Sequence, residues 1–154
     1  MKNIEYLKGF KKVGCWILND KYKSNKSLNQ LNLKGINFIL DKEYAHIKDC
    51  VYAFVNTQEE IIYIGETSNK EGLSGRFRSY RYGFDKLTDT DNNVKIEITK
   101  QLEGGSHINI LVFKPSAKYD FLGEEITIPL SKPIEEFLIS RIAPKINKKV
   151  LSKQ

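Results

Sequence analysis

Residues 51–81 carry the sequence VYAFVNTQEEIIYIGETSNKEGLSGRFRSYR, in which two apolar runs precede an arginine-rich segment. Each run contains one tyrosine, Tyr52 in the first and Tyr63 in the second. Two β-branched, apolar runs separated by the polar residues 56–60 are typical of a β-hairpin. Strand pairing would bring Tyr52 and Tyr63 side by side, and Gly65 would end the second strand.

The segment after Gly65 predicts a short amphipathic helix over residues 73–82, ended by the glycine that follows. This helix would carry Arg76, Arg78 and Tyr80. Arg76 and Tyr80 would share one helix face at a spacing of four residues, whereas Arg78 would lie on another face. Arginine offers forked donors that match a phosphate. Tyrosine hydroxyls and arginines at a strand-to-helix junction therefore indicate a phosphodiester-binding site.

In the order of its motifs, the chain resembles the GIY-YIG nuclease family. Residues 51–52, Val-Tyr, stand where the family has the first half of its signature, and residues 63–65, Tyr-Ile-Gly, match the second half. Residues 135–139, Glu-Glu-Phe-Leu-Ile, followed by Pro144 and Asn147, are similar to the helix that carries the family's carboxylate. The resemblance covers roughly two thirds of the chain and is nearest to the compact type II restriction endonuclease branch.

The resemblance implies a catalytic role for each motif residue. Tyr52 matches the tyrosine proposed as general base, and Tyr63 matches the tyrosine that orients water and the phosphate. Arg76 matches the helix arginine, and Tyr80 lies where the family has a histidine or a tyrosine. Extra residues between the second motif and Arg76 leave the register open, so Arg78 is a competing candidate.

The resemblance also implies a metal ligand and a structural residue. Glu135 matches the glutamate that holds one divalent cation, and Asn147 matches a structural asparagine. Mg²⁺ is the expected ion because it prefers oxygen ligands and keeps several waters, and Mn²⁺ is the alternative. Hydrolysis also needs an activated water. No histidine lies near the motif, so a tyrosine could remove the proton only where a cation favours its phenolate.

The pattern along the chain predicts an α/β (α+β) domain, with a small, mostly antiparallel three-stranded GIY-YIG core sheet flanked by helices. Residues 91–103 fit a strand by alternation and a helix by their spacing of four, and the capping residues favour the helix. Three parts are expected: a packed N-terminal extension that contributes to DNA binding, a nuclease domain with an insertion, and a basic tail. Their ranges are 1–49, 50–149 with the insertion around 82–130, and 150–154.

Composition limits the class of protein. The net charge is +6, with an excess of +5 in residues 1–50 and again in residues 141–154, which favours a phosphate-bearing partner. Two histidines make zinc sites and histidine-dependent nucleases poor fits. Cys15 and Cys50 do not make a disulfide framework. No secretory signal or membrane span is recognisable, so a cytoplasmic protein that does not bind membranes is expected.

Together, these patterns predict a metal-dependent, restriction-like endonuclease that acts on double-stranded DNA. One active site in a 17.8 kDa chain would need a homodimer to cut both strands. One alternative is a structure-specific nicking nuclease of repair or of a mobile element. Another is a non-catalytic nucleic-acid-binding module on the same scaffold. The presence of all five candidate side chains favours an enzyme over the module.

Overall fold

A computed structural model describes residues 2–22, 34–81 and 89–147. Five described strands form one sheet in the order β2-β1-β5-β3-β4, in which every neighbouring pair is antiparallel. The strands are β1 (Lys11–Leu18), β2 (Ile36–Leu40), β3 (Cys50–Asn56), β4 (Ile61–Thr67) and β5 (Ile108–Phe113). The predicted three-stranded core is present as β5-β3-β4, and the sheet is larger than predicted by two strands.

The two additional strands come from the N-terminal extension. Strand β1 pairs with β5, with Trp16 opposite Ile108, and β2 pairs with β1 at the edge of the sheet. Trp16 is buried, and its ring contacts the rings of Phe38 and Phe54 at centroid distances of 5.6 and 5.5 Å. The extension therefore packs into the main core, because its apolar side chains complete the sheet surface.

The β3–β4 hairpin forms where it was predicted, and the structure defines its register. Tyr52 lies opposite Gly65, and Phe54 lies opposite Tyr63. The two tyrosines are therefore diagonal neighbours on the paired strands, with ring centroids 6.3 Å apart, and lie side by side as predicted. Every residue of β3 is buried, as expected for a strand that has neighbours on both edges and layers on both faces.

Three described helices of 10 residues or more cover the sheet. Helices α1 (Gly72–Arg81) and α2 (Asp89–Glu103) pack on one face, and α3 (Ser131–Ile142) packs on the other. The helical interpretation of residues 91–103 is confirmed. The predicted end of α1 at Gly83 and the basic tail over residues 150–154 lie outside the described residues. None of the described helices is long and apolar enough to span a bilayer.

A second, two-stranded sheet stands apart from the first. It is a hairpin of β6 (Ser116–Phe121) and β7 (Glu124–Pro129), and it connects β5 to α3. The sequence predicts only a short strand-like run at residues 126–130. Nearly all residues of this hairpin are exposed, so it adds little to the core.

Candidate active site

Three of the predicted site residues meet in one hydrogen-bonded chain of hydroxyls. The oxygens of Tyr52 and Tyr80 lie 2.7 Å apart, and Tyr80 Oη donates to Tyr63 Oη at 3.4 Å. All three side chains are buried in the layer between the sheet and α1. Tyr52 lies on β3, Tyr63 on β4 and Tyr80 on α1. The strand-to-helix junction therefore assembles the cluster as predicted.

Gly65 allows this arrangement because the Tyr52 ring lies directly on its backbone. A Cβ atom built on Gly65 would lie 2.5 Å from both Cζ and Oη of Tyr52. The register places the two residues opposite each other on β3 and β4. Gly65 therefore sets the position of the Tyr52 hydroxyl, in addition to being part of the sequence motif.

Replacing Gly65 with alanine should displace the Tyr52 ring and break the hydroxyl chain. We expect a loss of roughly 1–3 kcal/mol in the free energy of unfolding, as for overpacking of a buried site, and a larger relative loss of any catalytic activity. Chemical denaturation and a cleavage assay measure the two effects. Gly104→Ala is the matched control, because Gly104 has no positive φ and a Cβ built there would lie no closer than 3.3 Å to another residue, at the backbone oxygen of Lys100. Unchanged stability of Gly65→Ala would contradict the close contact.

Arg76 joins the tyrosine cluster, and Arg78 does not. The Arg76 guanidinium carbon lies 4.5 Å from the centroid of the Tyr80 ring, in a cation–π contact. Arg78 Nη2 instead lies 3.3 Å from Glu71 Oε2, in an exposed ion pair. Of the two candidates that the sequence leaves open, Arg76 is thus the one in contact with the tyrosine cluster.

Helix α2 contacts α1 through one ion pair and one hydrogen bond, neither of which was predicted from the sequence. Asp91 Oδ1 lies 3.1 Å from Arg76 Nη2 in a largely buried ion pair. Lys95 is buried, and its Nζ donates to the backbone oxygen of Arg81 at 2.9 Å, at the carboxyl end of α1, where a cation is favourable. Burial lowers the pKa of Lys95 to about 8. The local sequence predicts Thr90 or Asp91 as a helix cap, and nothing in it pairs Asp91 with Arg76.

Replacing Asp91 with asparagine should misplace Arg76 without unfolding the protein. We expect catalysis to fall about tenfold to a hundredfold, since a buried charged partner is lost while the side-chain shape is kept. Single-turnover cleavage rates measure the effect, and a thermal melt checks the fold. Asp120→Asn, a change in the exposed β6–β7 hairpin, is the control. A cleavage rate equal to that of the unchanged protein would show that Arg76 does not depend on Asp91.

The environment of the cluster keeps its hydroxyls neutral. Burial raises the pKa of Tyr52, Tyr63 and Tyr80, and the positive charge of Arg76 lowers each of them by less. Burial also opposes the charge on Arg76, but the neighbouring tyrosines and Asp91 outweigh it and raise the pKa of the guanidinium. At neutral pH the site therefore combines three protonated hydroxyls with one fixed cation.

Glu135 lies on α3, the helix on the other face of the sheet from the tyrosine cluster. Burial raises the pKa of Tyr63, and the negative charge of Glu135 adds to this rise. Its side chain is only 12% exposed, and Oε1 lies 3.1 Å from Lys132 Nζ. Burial raises the pKa of Glu135, and the hydrogen bond and charge of Lys132 oppose the rise. The carboxylate is thus partly desolvated and pairs with Lys132 on the same helix.

A divalent cation fits the donor set at Glu135. Among residues 2–22, 34–81 and 89–147, no cluster of three or more histidine, cysteine or acidic side chains is arranged to hold an ion. A single carboxylate matches an ion such as Mg²⁺, which takes oxygen ligands and keeps several of its waters. Burial disfavours the ionised form of Glu135, so a divalent ion would stabilise that form in addition to the charge of Lys132.

Glu66 and Ser131 connect the β3–β4 hairpin to the start of the helix that carries Glu135. Neither residue was predicted from the sequence. Glu66 Oε2 accepts hydrogen bonds from Ser131 Oγ at 3.0 Å and from Ser68 Oγ at 2.8 Å. Ser131 is buried at the first residue of α3. The contact fixes the start of the helix that carries Glu135 against the end of β4, which carries Tyr63.

Asn147 closes the free edge of β4, in agreement with its predicted structural role. Its Oδ1 accepts from the backbone nitrogen of Ile64 at 3.0 Å, and its Nδ2 donates to the backbone oxygen of Ile64 at 2.9 Å. The amide thus takes the place of a strand neighbour and satisfies buried backbone groups. This closure holds the strand between Tyr63 and Gly65 in position.

The fold is similar to those of two solved nucleases. A point mutant of EndoII from bacteriophage T4 matches with a TM-score of 0.61 and 20% sequence identity, over 94% of this chain and 96% of that chain. The restriction endonuclease Hpy188I, in complex with product DNA, matches with a TM-score of 0.50 and 21% identity, over 91% and 77%. No protein-family model and no curated protein sequence matches the chain. The likeness establishes that this chain shares the fold of these two proteins.

Proposed function

We propose that this protein is a metal-dependent DNA endonuclease that hydrolyses phosphodiester bonds with a GIY-YIG active site. The buried hydroxyl chain of Tyr52, Tyr80 and Tyr63, with Arg76 stacked against it, carries the proposal. Burying three hydroxyls and a cation costs desolvation energy that an aromatic core alone would avoid. The likeness of the fold to an endonuclease and to a restriction endonuclease bound to product DNA supports this activity.

Arg76 supplies positive charge to the scissile phosphate. One of its nitrogens is engaged by Asp91, and a guanidinium has five N–H donors, so several remain for phosphate oxygens. The ion pair and the Tyr80 ring hold the guanidinium before substrate binds, so little reorganisation is needed in the reaction. Arg76 would therefore stabilise the negative charge that grows on the phosphorus oxygens.

The tyrosines move the proton of the attacking water as neutral hydroxyls. Tyr52 Oη accepts that proton while its own passes to Tyr80 Oη, and the proton of Tyr80 passes to Tyr63 Oη along the same chain. Tyr63 then releases a proton toward solvent, so no phenolate has to form. This relay agrees with the raised pKa values of the three buried side chains. Tyr63 also orients the water and the phosphate.

Glu135 would hold the divalent ion, Mg²⁺ or Mn²⁺. When bound, that ion would polarise the phosphate and stabilise the leaving oxygen. In the free protein, Lys132 forms an ion pair with the Glu135 carboxylate. Part of this ion pair would have to break when the divalent ion binds. The electrostatic effect of Glu135 on the pKa of Tyr63 supports this role, since both side chains would then act on one phosphate.

The proposed substrate is double-stranded DNA, cut in a restriction-like manner by a homodimer. Residues 1–49 and the insertion around 82–130 would contribute to DNA binding, and the net charge of +5 in residues 1–50 supports the first of these assignments. Restriction-type cutting of both strands needs two active sites, and a two-fold symmetric dimer provides them.

Incubating the purified protein with supercoiled plasmid and Mg²⁺ tests the function. Discrete linear fragments, absent with a chelator, are the expected result. Accumulation of nicked circles would replace the restriction-like assignment with a nicking nuclease. If no Mg²⁺- or Mn²⁺-dependent cleavage occurs on plasmids of varied sequence while DNA is still bound, the enzyme assignment fails and the protein is a binding module.

A further inference from the structure

The first turn of α3 carries a positive charge at the end of the helix where the peptide dipoles disfavour one. The helix begins at Ser131, Lys132 is its second residue, and its first turn holds no acidic side chain. Anions are favoured at the N-terminus of a helix and cations at its C-terminus. Helix stability therefore does not explain a lysine at this position.

The partner of Lys132 is the carboxylate that is proposed to hold the divalent ion. Lys132 Nζ donates to Glu135 Oε1 at 3.1 Å. The Lys132 side chain is 63% exposed, whereas that of Glu135 is 12% exposed, so the ammonium reaches an inner carboxylate from the solvent side. A lysine that precedes a glutamate along a helix is also the less favourable order for such a pair. The cation of this ion pair is therefore exchangeable.

Negative charge predominates around Lys132. Glu66 Oε2 accepts a hydrogen bond at 3.0 Å from Ser131, the residue before Lys132. The hydrogen bond and charge of Glu135 raise the pKa of Lys132, and the charges of Glu66 and Glu136 add to this rise. Three carboxylates thus act on one ammonium. An ion of charge +2 bound to Glu135 would neutralise more of this charge than Lys132 does.

We propose that Lys132 is a resident counter-ion of the metal site, which the divalent ion displaces from Glu135 and which then binds a phosphate of the DNA backbone. This inference rests on the proposed function, because it takes Glu135 as the ligand of the ion. The scissile phosphate has to approach that ion, so backbone phosphates come within reach of a side chain three residues away. A lysine side chain is flexible and strongly hydrated, which suits a move between two anionic partners.

The exchange would couple metal loading to DNA binding. Without the ion, Lys132 is paired with Glu135 and offers little charge to DNA. With the ion, it adds one phosphate contact. DNA in turn raises the affinity for the ion by the same factor, because the coupling between two ligands is reciprocal. The protein would therefore hold its ion weakly when free and more tightly on DNA, which favours a loaded active site in the DNA-bound state.

Calorimetric titration of the DNA-free protein with Mn²⁺ tests the displacement. Lys132→Met keeps the length of the side chain and removes the competing charge, so it should bind Mn²⁺ about twofold to fivefold more tightly, the range expected for a partly exposed ion pair. Lys132→Arg keeps the charge and should bind Mn²⁺ no more tightly than the unchanged protein. Lys145→Met is the matched control and should leave the affinity unchanged. Lys145 Nζ also lies 3.1 Å from a largely buried carboxylate, that of Glu97, which is not part of the proposed metal site.

The salt dependence of binding to a short DNA duplex tests the phosphate contact. The slope of log affinity against log salt is measured with a chelator and with Ca²⁺, which also takes oxygen ligands. The slope with Ca²⁺, relative to that with the chelator, should be about 0.9 shallower in Lys132→Met than in Lys145→Met, as for the loss of one phosphate contact. The comparison of two variants cancels the effect of the ion on the DNA itself.

Equal or weaker Mn²⁺ binding by Lys132→Met would overturn the proposal, because Lys132 would then not compete with the ion. The same change of slope in Lys132→Met and Lys145→Met would also overturn it, because Lys132 would then not reach a phosphate. Both outcomes leave the nuclease assignment intact, since no cleavage is measured. Absence of Mn²⁺ binding in the unchanged protein and in every variant would instead overturn the proposed metal site together with this inference.

Discussion

Glu135→Gln should lower the rate of DNA cleavage by roughly a thousandfold or more, while DNA binding stays within about threefold. The amide keeps the shape of the side chain and can still accept a hydrogen bond from Lys132, but it has no charge to hold a divalent ion. Single-turnover cleavage with saturating Mg²⁺ gives the rate, and a mobility-shift assay without metal gives the affinity. Burial raises the pKa of Glu135, so removal of its charge should not destabilise the fold.

Glu136→Gln is the matched control, because Glu136 is the next residue on α3 and is exposed. It should cleave at a rate within about threefold of the unchanged protein. Calorimetric titration with Mn²⁺ adds a readout that does not depend on cleavage, and only Glu135→Gln should abolish the binding heat. If Glu135→Gln cleaves normally, the ion is held elsewhere, and Glu136 becomes the first candidate.

The pattern of the sequence predicted the tyrosine hairpin but not its register. A period of two assigns side chains to faces and leaves open which residue lies opposite which. In the structure the pairing of Tyr52 with Gly65 depends on the register shift between Phe54 and Val55 and on the close approach of the Tyr52 ring to Gly65. The motif identified Tyr52 and Tyr63 as candidate site residues. Their connection through the Tyr80 hydroxyl depends on tertiary packing, which the motif does not reveal.

The missed contacts all join distant parts of the chain. Asp91 meets Arg76 across two helices, and β1 pairs with β5, with about ninety residues between Trp16 and Ile108. Strand pairing over such distances depends on packing against neighbours more than on local preference. The exposed face of the β6–β7 hairpin was missed for a related reason, because an alternating pattern looks the same whether its apolar side is covered or free.

Arg76→Ala should lower the cleavage rate by roughly a hundredfold to a thousandfold, as for loss of one preorganised charge that stabilises the transition state. The loss should appear in the single-turnover rate at saturating DNA more than in affinity, because the guanidinium is held by Asp91 and Tyr80 at the tyrosine cluster. Arg76→Lys should recover little of the rate, since a lysine keeps the charge but lacks the forked donors and the flat stacking surface.

Arg78→Ala is the matched control, two residues along the same helix. Its side chain is exposed and pairs with Glu71 Oε2 at 3.3 Å, a type of contact that contributes little to stability. It should therefore retain the cleavage rate within about threefold and lose only a small amount of DNA affinity. The opposite pattern, with Arg78→Ala inactive and Arg76→Ala active, would mean that α1 rotates when DNA binds and brings its other face to the phosphate. In that case the ion pair with Asp91 would hold Arg76 in the free protein only. The hydroxyl chain through Tyr80 would then have to break before catalysis.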